Sequence, residues 1–159
     1  MQAGISSADI ITTVSPTYAK EIQTAEGGFG LDGLLRVRTD VVKGILNGVD
    51  LKSWNPQTDK RIAKNYSSKT LQDKAVNKKA LQEKMGLEVN PEIPLFGIVT
   101  RLADQKGIAE LFAPAYGCIY NMCNNLKIQV AVLGSGEAWC ENEIGVLQSK
   151  LPNFKAYIG

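Results

Sequence analysis

Apolar and polar positions alternate along this chain in runs of clearly different character. Residues Ala8 to Val14 (ADIITTV) are β-rich and apolar, the pattern of a buried strand. Ser15 and Pro16 then predict a helix start, because serine at the N-cap accepts a bond from an orphan amide and proline at the first helical position has no amide to waste. That helix carries Tyr18, Ala19 and Ile22. Ala25 to Leu35 (AEGGFGLDGLL) is rich in glycine and reads as a loop. Val41 to Leu46 is a second short β-like run, closed by the turn signal Asn47-Gly48, and Trp54-Asn55-Pro56 continues an irregular stretch. Ser67 to Met85 is polar and helix-forming. Its apolar positions Leu71, Ala75, Leu81 and Met85 make an imperfect stripe, and Gly86 suits the end of a helix.

From Ile93 the pattern changes. Pro94 to Thr100 is a near-continuous apolar run, as expected of a parallel strand covered on both faces. Ile108 to Leu126 reads as a helix despite Pro114 and Gly117. Ile128 to Leu133 is a second buried strand, which ends in Gly134-Ser135-Gly136. Glu137 to Leu151 is a further helix, and Phe154 to Ile158 starts a third strand. This is an α/β order, β-α-β-α-β, which right-handed crossovers lay side by side as part of a doubly wound sheet. Further strands would complete such a sheet, so it is read as incomplete.

Composition narrows the chemistry. The 159 residues are 44% hydrophobic and 21% charged with a net charge of +2, which suits a folded globular chain and argues against a non-specific nucleic-acid binder. There is no His, so Ser-His and Cys-His nucleophile pairs and His metal clusters are excluded within the chain. The cysteines Cys118, Cys123 and Cys140 form no C-x-x-C pair and read as reduced thiols, with no metal site. No apolar run reaches the ~20 residues of a membrane span, and no secretory signal is evident, so the cytoplasm is the expected location.

Two strand ends are candidates for chemistry. Thr100 to Gly107 (TRLADQKG) leaves the first strand of the second region with Arg101 and Lys106, a planar fork and a point charge suited to an anion; two ordinary surface cations are the alternative. Gly134-Ser135-Gly136-Glu137 leaves the second strand. Glycine there admits a close ligand, or simply makes a tight turn whose acid complements the helix dipole. It is not a full G-x-G-x-x-G fingerprint, and Gly27 to Gly33 lacks the trailing G-K-[ST] of a P-loop. Trp54 and Trp139 suit either sugar stacking or packing. From residues alone the reading stops at a soluble α/β piece with a candidate phosphate site.

Several segments in order extend it. VSPTYA-x-EI, LNGVD-x-x-x-WNP, DK-x-x-NK-x-x-L and RL-x-x-QKG, together with GLDGLL and VAVLGSGE, resemble the bacterial glycogen synthase and plant starch synthase family over nearly the whole chain. The resemblance implies Rossmann-like pieces of a two-domain GT-B glycosyltransferase. Residues 1–50 would end the N-terminal domain, 51–92 would form a linker and helix, and 93–159 would be the first half of the C-terminal nucleotide-binding domain. It implies retaining transfer of glucose from ADP-glucose, or less often UDP-glucose, to the non-reducing end of an α-1,4-glucan, with no metal and no cofactor. Arg101 and Lys106 match the pair that grips the nucleotide diphosphate, Gly134 and Gly136 the loop near the nucleoside, and Asn47 and Asp50 the segment lining the cleft. Other family motifs, including the catalytic His, fall outside this stretch, so the isolated chain is expected to be inactive. A non-catalytic nucleotide- or phosphate-binding module is the alternative. Self-association through exposed strand edges is a further expectation, as is the plastid stroma for a plant or algal source.

Overall fold

A computed structural model describes residues 1–113 and 117–159. It divides into two compact units, Met1–Trp54 and Asn55–Gly159.

The first unit is small. Helix α1 (Gln2–Ser7) precedes strand β1 (Ile11–Thr13), helix α2 (Pro16–Glu21), helix α3 (Asp32–Val37) and strand β2 (Val42–Gly44). The strands pair in parallel, Ile11 opposite Val42 and Thr13 opposite Gly44. The expected cap is present: the Ser15 hydroxyl accepts the Tyr18 amide at 2.9 Å, with Pro16 at the first helical position. A cation closes the other helix end. The Arg38 guanidinium donates to the carbonyls of Ile5 and Ser6, which the last turn of α1 leaves without helical partners, and to that of Ala8 just beyond it. Ala19, Leu35 and Val42 are the buried core, with Ile5, Ile11, Ile22 and Leu31 packed around them.

Three expectations change here. The first strand is shorter than 8–14 and only half-buried, with Ile10 at 63% and Val14 at 50% exposure, because a two-stranded sheet covers little of either face. The loop expected over 25–35 gives way to α3 from Asp32, where Asp32 and Arg36 pair at 2.7 Å one turn apart. No turn forms at Asn47-Gly48; residues 45–50 run without regular structure and the chain turns at Asp50 instead.

The second unit carries the larger core. A 3₁₀ turn (Leu71–Asp73) leads into helix α4 (Lys74–Met85). Gly86 ends it in the left-handed region, φ 67°, with the Leu87 amide reaching back to the Gln82 carbonyl at 2.9 Å and Gly86 to Glu83 at 3.2 Å. Strands β3 (Leu95–Val99), β4 (Gln129–Gly134) and β5 (Phe154–Ile158) form a parallel sheet in that order, with β4 central. Between them lie α5 (Ile108–Phe112), α6 (Cys118–Asn125) and α7 (Ala138–Lys150). These helices cover the sheet face that carries Val130, Val132 and Phe154, and the Phe112 and Phe154 rings meet edge to face at 5.9 Å.

On α4 the buried residue is Gln82, not a leucine of the imperfect stripe. Its amide donates to Gln129 at 2.7 Å and to the Asn90 carbonyl at 3.0 Å, and Gln129 donates to the Glu88 carbonyl at 2.7 Å. Two buried amides with filled hydrogen bonds thereby tie α4 to the start of β4.

Two further expectations change. The single helix over 108–126 is two, because Ala113 and Gly117 are extended. Ala113 precedes a proline, and a residue so placed disfavours helical angles; Pro114 itself lies outside the described residues. Strand β3 is not covered on both faces: Phe96 is 48% and Val99 78% exposed, and Leu133 and Tyr157, beside Val99 in the sheet, are 43% and 65% exposed, so the face these three share lies open among the described residues. Among the described residues no helix is long and apolar enough to cross a membrane.

Candidate functional site at the carboxyl ends of β3 and β4

Parallel sheets leave their loops at the carboxyl ends of the strands, and ligands of open α/β folds gather there. Beyond β3 the chain does not simply leave the sheet. The Thr100 amide donates to the Leu133 carbonyl at 3.2 Å and the Leu102 amide to the Ser135 carbonyl at 2.9 Å. In return the Glu137 amide donates to the Leu102 carbonyl at 2.7 Å, and Leu102 forms a parallel bridge with Gly136. Leu102 is fully buried. The two loops are therefore laced backbone to backbone, with an apolar anchor beneath.

Glycine makes that lacing possible. A Cβ on Gly134 would overlap the Thr100 carbonyl oxygen, and one on Gly136 would overlap the Leu102 carbonyl oxygen. The space that a side chain would need is filled by the neighbouring loop, so these glycines serve a close approach of protein backbone. Of the two readings that the sequence left open, a close ligand or a tight turn, the filled space agrees with the tight turn.

Arg101 and Lys106 both stand on the β3 loop. Arg101 immediately precedes the buried Leu102. Lys106 ends the 3₁₀ turn Asp104–Lys106, whose exit is Gly107 in the left-handed region, φ 67°, with the Lys106 amide bonded to Ala103 at 2.9 Å and Gly107 to Asp104 at 2.8 Å. Both cations are exposed, and among the described residues neither is ion-paired. A guanidinium and an ammonium displayed beside a pinned chain reversal suit a polyanionic ligand.

The two acids at the start of α7 have local partners. Glu137 accepts the Trp139 indole N–H at 2.6 Å, and Glu141 accepts the Gly136 amide at 2.9 Å. Beneath them Cys140 is buried; burial pushes its thiol above the usual range, with the nearby carboxylates of Glu137, Asp104 and Glu141 adding to the effect. Trp139 is 39% exposed and Trp54 72%, so neither is a core packing residue. Glu141 was not singled out by sequence. An acid in the first turn of α7 was visible there, but not the amide that it reaches.

Asn47 and Asp50 belong to the first unit, apart in sequence from the cation loop. Asn47 is exposed in the irregular segment after β2. Asp50 builds a turn: its carboxylate accepts the amides of Lys52 at 2.9 Å and Ser53 at 3.1 Å and the Ser53 hydroxyl at 2.7 Å. The Ser53 hydroxyl, then the two amides, hold Asp50 below the usual carboxylate range.

Comparison with known proteins places this geometry among relatives. Residues 1–37 match the family model described as the starch synthase catalytic domain. The chain is 52% identical to a glycogen synthase of Treponema denticola over 159 residues, all of this chain and 32% of that protein. It is 48% identical to a glycogen synthase of Nitrosomonas eutropha, over 96% of this chain and 29% of the relative. The catalytic domain of starch synthase IV from Arabidopsis thaliana, solved bound to ADP and acarbose, superposes with a TM-score of 0.88 at 36% identity, over 99% of this chain and 32% of that one. The expected α/β class, Rossmann-like pieces of a GT-B enzyme, therefore holds. The chain spans about a third of the length of the relatives that it matches.

Proposed function

We propose, from the premise that this chain belongs to the glycogen synthase and starch synthase family as one segment of it, that the whole protein is a retaining glucosyltransferase. It moves glucose from ADP-glucose, or UDP-glucose, to the non-reducing end of an α-1,4-glucan. Arg101 and Lys106 hold the diphosphate. Its negative charge grows as the glycosidic bond breaks, and fixed cations lower that barrier without having to reorganise. Gly134 and Gly136 shape the neighbouring loop on the nucleoside side, and Asn47 and Asp50 line the cleft. The chain alone, about a third of its relatives' length, does not turn over substrate. The cytoplasm, or the plastid stroma in a plant or alga, is the compartment we assign.

One observation carries this reading: two exposed cations without ion-pair partners among the described residues stand on a loop locked at the carboxyl edge of a parallel sheet. The relative solved with ADP supports it. The test uses the full-length protein. Arg101→Ala and Lys106→Ala are each expected to lower glucosyl transfer by about 100-fold, with weaker ADP binding by calorimetry. If both variants bind ADP and turn over as the parent does, the assignment is wrong.

A further inference from the structure

We propose that Glu141 is a positioning residue, which holds Arg101 toward the diphosphate by tethering the Gly136 turn to helix α7. The inference rests on the role proposed above for Arg101.

The chain of contacts is short and mostly backbone. Glu141 lies in the first turn of the thirteen-residue helix α7 and accepts the Gly136 amide at 2.9 Å. Gly136 bridges Leu102, and the turn around it engages both polar backbone groups of Leu102, through the Ser135 carbonyl at 2.9 Å and the Glu137 amide at 2.7 Å. Leu102 is fully buried and directly follows Arg101. The backbone of Arg101 is therefore set by a turn that a carboxylate on a rigid helix holds in place. Glu137, the other acid at this helix start, is engaged by the Trp139 indole at 2.6 Å. Glu141 is the carboxylate that reaches the turn.

The sign of the effect separates a tether from a mere charge. A carboxylate near a bound diphosphate repels it, so a purely electrostatic role predicts tighter ADP binding when Glu141 is removed. A tether predicts weaker binding, because the turn and the Arg101 loop laced to it lose their fixed geometry. Glutamine keeps an oxygen that can accept the Gly136 amide while discarding the charge.

The experiment is ADP titration calorimetry and ADP-glucose kinetics on the full-length protein. Glu141→Ala is expected to weaken ADP about ten-fold, the low end of what loss of one charge-assisted hydrogen bond implies, and to raise KM. Glu141→Gln retains the affinity of the parent or improves on it. In an Arg101→Ala background, Glu141→Ala adds no further loss, since its effect passes through Arg101. Glu141→Ser, which cannot reach the amide, repeats the test should the alanine variant fold poorly. Unchanged or tighter ADP binding by the truncated variants overturns the proposal. So does a loss that persists in the Arg101→Ala background, or a glutamine variant that behaves like alanine. If Arg101→Ala itself leaves ADP binding unaltered, the role proposed above for Arg101 fails first; if it weakens ADP while truncating Glu141 does not, only the tether fails.

Discussion

The two compact units use the same parallel pairing and differ in what stands behind it. In Asn55–Gly159 a three-stranded sheet is backed by three helices, and Leu102, Ile108, Phe112, Val130, Cys140, Ile144, Leu147 and Phe154 are fully excluded from solvent. In Met1–Trp54 two short strands share a core of Ala19, Leu35 and Val42, none of them fully excluded. The first unit leans on polar devices: the Ser15 cap, the Arg38 fork on α1, and the Asp50 turn. The larger core can hold two loops in backbone register with no slack. The smaller unit holds Asp50 in a turn built from its own side chain and leaves Asn47 in an irregular segment. The precise display of a side chain thus belongs with the larger core, where burial stabilises each ordered loop against the entropy of holding it.

The largest test of that contrast removes core volume. Phe154→Ala is expected to cost about 3–5 kcal/mol, since the ring is fully buried against Phe112, whereas Leu35→Ala in the small core costs about 2 kcal/mol. Urea unfolding measures both. Equal costs would mean that the first unit is as tightly packed as the second.

Next comes the lacing itself. Gly136→Ala forces a methyl group into the Leu102 carbonyl, so it is expected to destabilise by about 1–3 kcal/mol and to weaken ADP binding in the full-length protein together with stability. Gly48→Ala, where nothing stands near the added carbon, changes neither. Thermal melting beside ADP titration reads the pair. A silent Gly136→Ala would show that the loops need not touch.

The smallest effect is electrostatic and belongs to the first unit. Asp50 is held below its ordinary 3.8 by the Ser53 hydroxyl and by two amides. A carboxylate with a depressed folded pKa contributes stability above its unfolded value, and loses that contribution as pH falls through the folded one. The Ser53 amide signal, followed by NMR in an acid titration, should therefore move with a midpoint below 3.8, and Asp50→Asn should abolish the transition. A midpoint at or above 3.8 would remove the turn as a fixed feature of this unit.

Local rules decided the parts of this protein that local physics controls. Ser15-Pro16 opens a helix and Gly86 closes one because capping depends on a few adjacent residues. The run Phe154–Ile158 is a strand in both readings, and β3, β4 and β5 lie in sequence order, as short crossovers require. Arg101 and Lys106 were legible as a pair because both occupy one loop. The ordered motifs named the family, since matches in register constrain more than any single spacing. Only the tertiary structure decided other features. The exposure of β3 and the pairing of Gln82 with Gln129 depend on which surfaces meet, whereas the break between α5 and α6 follows a local rule, the proline after Ala113, that the helical reading of 108–126 overrode. The reason for two glycines is likewise tertiary. Whether a missing Cβ makes room for a ligand or for a neighbouring strand is set by what arrives in that space, and residues distant in sequence, Thr100 and Leu102, are what arrive.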